Sequence, residues 1–278
     1  MSDGSNAAQI DYWNAQAGET WSRFNELLDR QIEPLGREAM RALAPQAGER
    51  ILDIGCGCGQ TTMALAERVG AAGAVVGADI SRPMLEVARG RPLPAGARRP
   101  EFREADAQSD TLGAFDAAFS RFGVMFFADP VAAFANIRAA LTPRGRLAFV
   151  CWRPYAENPW MRIPMEAAEP FLGPPQPGDP TAPGPFAFAD SGRVRGILGG
   201  AGFKGVTIEA FDAPIGGSSI DDTVSMTFRV GPLGRALAEN RDRIPAVAEA
   251  VKKAVTPYDT ADGVFMPSAV WIVQARAS

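Results

Sequence analysis

Between residues 50 and 152 the sequence swings repeatedly, at short intervals, from apolar runs to helix-patterned segments and back. "RILDIG" (50–55), "AVVGADI" (74–80), "PEFREADA" (100–107), "FDAAFSRFGVMFF" (115–127, a strand with its loop) and "GRLAFVCW" (145–152) read as strands. Several are apolar along their length, as strands buried on both faces are. "TTMALAERVG", closed by Gly70, reads as a helix, as does "SRPMLEVARG", with Ser81 as N-cap, Pro83 in its first turn and Gly90 at its end. "DPVAAFANIRAAL" is a third, capped by Asp129 with Pro130 at its first position. Such a rhythm specifies βαβ units, hence a parallel sheet with helices on both faces. Ligands of these sheets bind at the carboxyl ends of the strands, near the point where strand order reverses.

The flanks are less regular. Residues 20–44 carry helical apolar spacing through Phe24, Leu27, Leu28, Ile32 and Leu35, and Pro34 is expected to kink or divide them. Seven prolines between 170 and 185 argue against a helix or central strand there. Trp160, Met161, Phe171, Phe186 and Phe188 flank or punctuate that stretch, which favours an ordered, polyproline-like flap over the sheet edge rather than a solvated linker. "SGRVRGILGGAGF" reads as a helix, and "GVTIEAF" and "SAVWIVQAR" as two further strands. Between those strands, residues 214–266 are too long for a hairpin loop and look helical, so they read as an inserted cap element.

Composition narrows the classes of function. With 46% hydrophobic and 22% charged residues over 278 positions, the chain can bury a sizeable core. A net charge of −4 argues against a nucleic-acid partner, and the densest basic run, "RGRPLPAGARR", reads as a solvated loop. The first residues lack a basic region followed by an apolar run, and no stretch approaches the roughly 20 apolar residues of a membrane helix. A cytoplasmic protein is expected. Three cysteines, two of them in one glycine loop, form no disulfide framework. The chain contains no histidine.

The loop "ILDIGCGCGQTT" (51–62) is the most informative stretch. Cys56 and Cys58 lack CxxC spacing, and no histidine can complete a tetrahedral set, so no metal site is expected. No lysine follows the glycines as a P-loop requires. In the dinucleotide pattern the last small residue would fall on Gln60 or Thr62, and both depart from it. Asp53, two residues before Gly55, would face a pyrophosphate with like charge but suits a ligand carrying an ammonium group. Asp79, twenty residues after Gly59, can accept both ribose hydroxyls, and Asp106 ends the third strand where an adenine amino group would meet it. Ammonium, ribose and adenine without phosphate add up to S-adenosylmethionine.

"LDIGCGCG" (52–59), "VVGADIS" (75–81), "FREADAQ" (102–108), "FDAAFSRFGVMFF" (115–127) and "LTPRGRLAFVCW" (141–152) together resemble, in order and spacing, the successive motifs of class I S-adenosylmethionine-dependent methyltransferases. The likeness is greatest to the small-molecule branch that includes ubiquinone and menaquinone methyltransferases and methyltransferase type 11 domains. It implies an α/β, Rossmann-like fold: a seven-stranded, mostly parallel sheet with helices on both faces, its last strand antiparallel, under a helical and Pro-rich cap. The implied division is an N-terminal helical lid (1–44), a cofactor-binding core (45–152), a Pro-rich cap insertion (153–189), and a C-terminal part of the core (190–278) holding the helical insertion 214–266.

Carried over by position, the resemblance places Asp53 and Gly55 at the methionine end of S-adenosylmethionine, with S-adenosylhomocysteine as product. Gly57 and Gly59 would let the backbone approach, and Gln60 and Thr61 would complete that side. Asp79 would hold the ribose, Ile80 would pack on the adenine, and Asp106 with Ala107 would read its edge. Ser120 would border the sulfonium, and Tyr12, Trp13 and Trp21 would form a lid, with core packing as the alternative. Arg121, Phe122, Met125 and Trp152 are acceptor-side candidates by location. No motif supplies a catalytic base; Tyr12 and Tyr155 are the candidates, and an acceptor already ionised would need none. The implied reaction is methyl transfer to an O, N or C nucleophile of a small, aromatic or apolar metabolite. No nucleic acid or membrane span is expected, and a homodimer is left open. Two alternatives stand beside it: a non-catalytic S-adenosylmethionine-binding protein, and an NAD(P)-dependent oxidoreductase on the same fold.

Overall fold

A computed structural model describes residues 6–174 and 178–278; the prolines at 175 and 177 lie outside the described residues. Three helices come first: α1 (Ala7–Asn14), α2 (Gln16–Arg23) and α3 (Asn25–Leu43). The alternating core follows as β1 (Arg50–Ile54), α4 (Gln60–Val69), β2 (Ala74–Asp79), α5 (Arg82–Gly90), β3 (Glu101–Glu104), β4 (Phe115–Arg121), α6 (Pro130–Ala139) and β5 (Leu141–Trp152). Then come α7 (Pro159–Leu172), α8 (Ser191–Gly200), β6 (Lys204–Ser218), α9 (Ile220–Thr227), α10 (Pro232–Ala238), α11 (Ile244–Val255), β7 (Asp259–Thr260) and β8 (Gly263–Arg276).

The sheet runs β3-β2-β1-β4-β5-β8-β6. Strands β1 to β5 pair in parallel, and β8 is antiparallel to both β5 and β6. The expected seven strands with an antiparallel last strand are present, and the two-residue β7 adds an eighth by pairing with β8. Strand order reverses between β1 and β4, so the crevice for a ligand lies above their carboxyl ends. The interior strands are apolar because both faces are covered: Ile51, Leu52 and Ile54 on β1, Phe115 and Phe119 on β4, and Phe149 on β5 are all buried, with Phe134 of α6 and Phe188 packed among them.

Two expectations about the flanks are corrected and one holds. Pro34 does not divide its helix; α3 continues through it, and the break falls at Phe24 between α2 and α3. Leu28, Ile32, Leu35, Ala39, Met40 and Leu43 form one buried stripe against the sheet, and that burial outweighs the backbone hydrogen bond a proline forfeits. The proline-rich stretch holds neither helix nor strand at 173–174 and 178–189, as expected, although α7 runs through Pro164 and Pro170 to Leu172 and buries Met161, Pro164 and Ala168. Finally, β6 and β8 extend as a long pair to Ser218 and Val264, so only residues 219–262 form the inserted element instead of 214–266. Val224, Leu233, Leu237, Val247, Val251 and Val255 of that insertion bury against Ala168 of α7 and against Val264 and Met266 of β8. The inserted element and α7 therefore share an apolar core separate from that of the sheet.

Candidate functional site

The loop between β1 and α4 is built on glycines that take backbone angles disfavoured for side-chain-bearing residues. Gly55, Gly57 and Gly59 have φ of 62°, 54° and 80°. Gly55 also touches Gly123: a Cβ on Gly55 would lie 2.8 Å from the Gly123 Cα, so the β1 and β4 loop backbones can close only because both residues lack side chains. Gly123 was not singled out in the sequence, since the reason for it is this contact across 68 residues of chain. Gly59 differs from its expected role. A Cβ there would meet Ala88 and Phe102 at 2.8 and 3.0 Å, so its smallness serves the packing of α4 against α5 and β3.

Asp53 is fully buried at the end of β1. Its Oδ2 accepts hydrogen bonds from the hydroxyls of Thr61 (2.8 Å) and Thr62 (2.6 Å), while Oδ1 is buried without a protein partner. Burial raises its carboxyl to about 6, against the pull of the two threonine hydroxyls and the Arg121 guanidinium. An orphaned, buried carboxylate oxygen fits a ligand bearing an ammonium group. Asp79, at the end of β2, accepts from the Gly57 N–H (2.7 Å) through Oδ2 and from the Ser81 N–H (2.8 Å) through Oδ1. Each oxygen keeps a lone pair for a diol, and burial raises this carboxyl as well. Ile80 follows, half-buried.

Asp106 is buried and turned into its own loop: Oδ1 accepts from the Gln108 N–H (2.9 Å) and from Asn6 Nδ2 (3.2 Å), and Oδ2 from the Ser109 hydroxyl (3.3 Å). Ala107 beside it is buried. The N-terminal helices lie across these strand ends. Asn14 Nδ2 donates to the Ile80 carbonyl (2.7 Å), and its Oδ1 accepts from the Arg82 N–H (3.0 Å). The Ser81 hydroxyl, expected to cap α5, donates instead to the Trp13 carbonyl (2.7 Å). Trp13 meets Trp21 and Phe126 edge-on at 6.1 and 5.1 Å, and Cys58 Sγ lies 3.9 Å from the Trp21 carbonyl. Asn6 and Asn14 went unnoticed in the sequence because asparagines near a helix read as ordinary caps.

Beyond β4 the wall is aromatic. Ser120 is buried and its hydroxyl accepts from the Gly123 N–H (3.2 Å). Phe122 sits in the left-handed region at φ 63°, an uncommon conformation for a bulky side chain, and stacks on Trp152 with ring centroids 4.2 Å apart and planes 10° from parallel. Trp152 in turn meets Trp160 of α7 at 4.8 Å. Met125, like Phe122 and Trp152, is buried in the core cluster. Arg121 points towards α3 and α4, donating to Gln60 Oε1 and to Asp29 Oδ1, each at 2.8 Å. Arg91 also pairs with Asp29 and donates to the Cys58 carbonyl. This residue is the exception in the basic run 89–99 expected to be solvated, most of which is exposed loop.

The two tyrosine candidates fare poorly as bases. Tyr12 is 44% exposed and edge-on to Trp13. Tyr155 packs edge-on to Phe186, and burial, with Glu166 and Glu169 nearby, raises its phenol further above neutral pH. The thiols are equally quiet: burial pushes Cys58 up to about 12 and raises Cys56 and Cys151 too.

A family model described as a methyltransferase domain matches residues 51–145. Aklanonic acid methyltransferase DauC of Streptomyces sp. (strain C5) is 34% identical over 151 residues, which cover 54% of this chain and 67% of that protein. Demethylmenaquinone methyltransferase of Thermus thermophilus is 33% identical over 183 residues, 64% of this chain and 74% of that one. Among solved structures, the phosphoethanolamine N-methyltransferase 2 of Haemonchus contortus, held with S-adenosylhomocysteine, shares the fold with a TM-score of 0.51 at 17% identity, over 87% of this chain and 52% of that one. With the glycine loop, the carboxylates at the ends of β1 and β2 and the sheet order already in place, these likenesses give one conclusion: the chain belongs to the class I S-adenosylmethionine-dependent methyltransferases, of the type that act on small molecules.

Proposed function

We propose that the protein methylates an O, N or C nucleophile of a small, aromatic or otherwise largely apolar metabolite that is already ionised, or readily ionised, when it binds. The observation that carries this reading is the aromatic ladder Phe122–Trp152–Trp160 at the carboxyl ends of β4 and β5. A strained φ at Phe122 is the sort of backbone cost that persists at functional sites, and here it lays the ring flat against Trp152 at the end of β4. Planar acceptors stack on such rings. The relatives that act on aklanonic acid and demethylmenaquinone are in keeping with this class of acceptor.

When bound, S-adenosylmethionine supplies a methyl group activated by its sulfonium. In this reading Asp53 Oδ1 receives the cofactor's ammonium, Asp79 its ribose hydroxyls, and Ile80 and Ala107 flank its base. Asp106 can meet the base through Oδ2, which accepts only from the Ser109 hydroxyl, while Asn6 and the Gln108 N–H hold Oδ1. Gln60, Thr61, Gly55 and Gly57 fix the methionine end, and Ser120 borders the reacting centre. Trp13 and Trp21 close the site from the lid side and exclude water. With no histidine and a phenol at Tyr155 that holds its proton, the chain contributes alignment more than proton transfer.

The test is a panel of acceptors of differing pKa assayed against wild type and Trp152→Ala. The rate is expected to follow each acceptor's own ionisation, and Trp152→Ala is expected to raise KM for flat acceptors above all. One fixed pKa for every acceptor, removed by a single Tyr or Asp substitution, would show that a protein base is at work.

A further inference from the structure

Asp53 and Arg121 stand on neighbouring strands and on the same face of the sheet. Asp53 pairs with Phe119 across β1 and β4, and Arg121 lies two residues further along β4, which returns its side chain to the face of Phe119. Arg121 is the cation whose charge is felt at Asp53, where it opposes the effect of burial. A buried carboxylate oxygen without a donor and a guanidinium on the adjoining strand are natural partners. Yet they are not bonded, and Asp53 Oδ1 has no protein partner. The Arg121 side chain, 10% exposed, is drawn the other way. Its Nη2 donates to Asp29 Oδ1 of α3 and its Nη1 to Gln60 Oε1 at the start of α4, each at 2.8 Å. Helix α3 lies directly on the arginine stem, because a Cβ on Gly36 would come within 2.7 Å of Arg121 Cδ. Asp29 is itself fixed: it is 15% exposed and also pairs with Arg91, which bonds in turn to Asn25 Oδ1 and the Cys58 carbonyl.

We propose that Asp29 is a positioning residue of the cofactor site: it holds Arg121 away from Asp53 and so keeps Asp53 Oδ1 open for the ammonium group of S-adenosylmethionine. This rests on the reading in which Asp53 receives that ammonium. Without the Asp29 carboxylate, the buried carboxylate left to Arg121 on that face is Asp53. Glu33, one turn further along α3, is engaged by Arg37 at the surface. Gln60 is a neutral acceptor and holds a guanidinium less firmly than a carboxylate does. A guanidinium seated on Asp53 would fill the open oxygen and cancel the charge that the ammonium needs. The ribose end lies outside this exchange, because Asp79 is held by the Gly57 and Ser81 N–H groups, which Arg121 does not touch.

The experiment is calorimetric titration of the full chain with S-adenosylhomocysteine and with adenosine, which lacks the ammonium. It is run at about pH 8, above the titration of Asp53 at about 6. Asp29→Asn keeps an oxygen to accept from Arg91 but gives up the charge. It is expected to bind S-adenosylhomocysteine about 10- to 100-fold more weakly than wild type, and adenosine within about twofold. Adding Arg121→Met, an unbranched side chain without a donor, is expected to recover at least about fivefold of that loss. A merely structural Asp29 would not give this recovery, since two structural losses accumulate. Asp29→Ser serves in the same measurements if Asp29→Asn does not fold. Binding of S-adenosylhomocysteine by the single variant within about twofold of wild type overturns the proposal. A double variant that binds no tighter than the single one does so too, as does a loss shared equally by adenosine. Failure of wild type to bind S-adenosylhomocysteine at all is a different result: it removes the cofactor reading and the proposal together.

Discussion

Lowering the pH from about 7 to about 5 is expected to weaken S-adenosylhomocysteine binding, and Asp53 sets the size of the effect. Burial has raised this carboxyl from 3.8 to about 6, so it is mostly ionised at neutral pH and mostly protonated two pH units lower. If the ligand's ammonium pairs with the ionised form through Oδ1, affinity tracks the ionised fraction and falls about tenfold over that range. Asp53→Asn keeps an oxygen to accept from Thr61 and Thr62 but cannot titrate, so its profile should be flat and uniformly weak. Adenosine separates this effect from Asp79, whose carboxyl is also raised, because adenosine keeps the ribose and lacks the ammonium. Calorimetry or fluorescence titration in buffers of constant ionic strength reads all three curves. A wild-type curve that stays level across the range, or one that Asp53→Asn reproduces, refutes the ammonium assignment.

Further outcomes follow from the same geometry. In the ligand-free protein the raised carboxyl of Asp53 means that the folded state holds the proton more tightly than the unfolded chain. Stability is therefore lost as pH rises from 3.8 to about 6, and urea unfolding should show Asp53→Asn gaining on wild type across that window by up to about 3 kcal/mol. Asp79→Ala removes the acceptor for the Gly57 and Ser81 N–H groups as well as for the ribose, so S-adenosylhomocysteine and adenosine should both bind about 10- to 100-fold more weakly; unchanged binding of either rejects the ribose assignment. Gly55→Ala forces a side chain into a left-handed position 2.8 Å from the Gly123 Cα and should cost about 1–3 kcal/mol in thermal or urea unfolding, whereas a neutral result would mean that the two loops are not in contact.

The alternating core was legible because strands β1, β2, β4 and β5 are buried on both faces and so carry apolar runs that no local competitor explains. Asp53 and Asp79 were legible for the opposite reason, since a carboxylate in or at the end of such a strand needs a ligand or a partner to justify it. What stayed hidden depends on distant neighbours. The long pairing of β6 with β8 was obscured because β6 is a largely exposed edge strand containing Pro214, Gly216 and Gly217, which read locally as a turn. Asp29, Arg91 and Arg121 each look like ordinary surface charges in sequence, and they meet only when 62 and 92 residues of intervening chain are folded.

The central claim is that a methyl group passes from S-adenosylmethionine to an apolar aromatic acceptor lying against Phe122 and Trp152. Its most direct test is incubation of the purified chain with S-adenosylmethionine carrying an isotope-labelled methyl group and a panel of phenols, quinols and enolisable aromatic ketones, followed by mass spectrometry. The account predicts a labelled methyl on at least one aromatic acceptor, an equal amount of S-adenosylhomocysteine, and a matching fall in both products for Asp79→Ala at sub-saturating S-adenosylmethionine. Tight S-adenosylmethionine binding with no labelled product, or transfer confined to charged, non-aromatic acceptors, would contradict it.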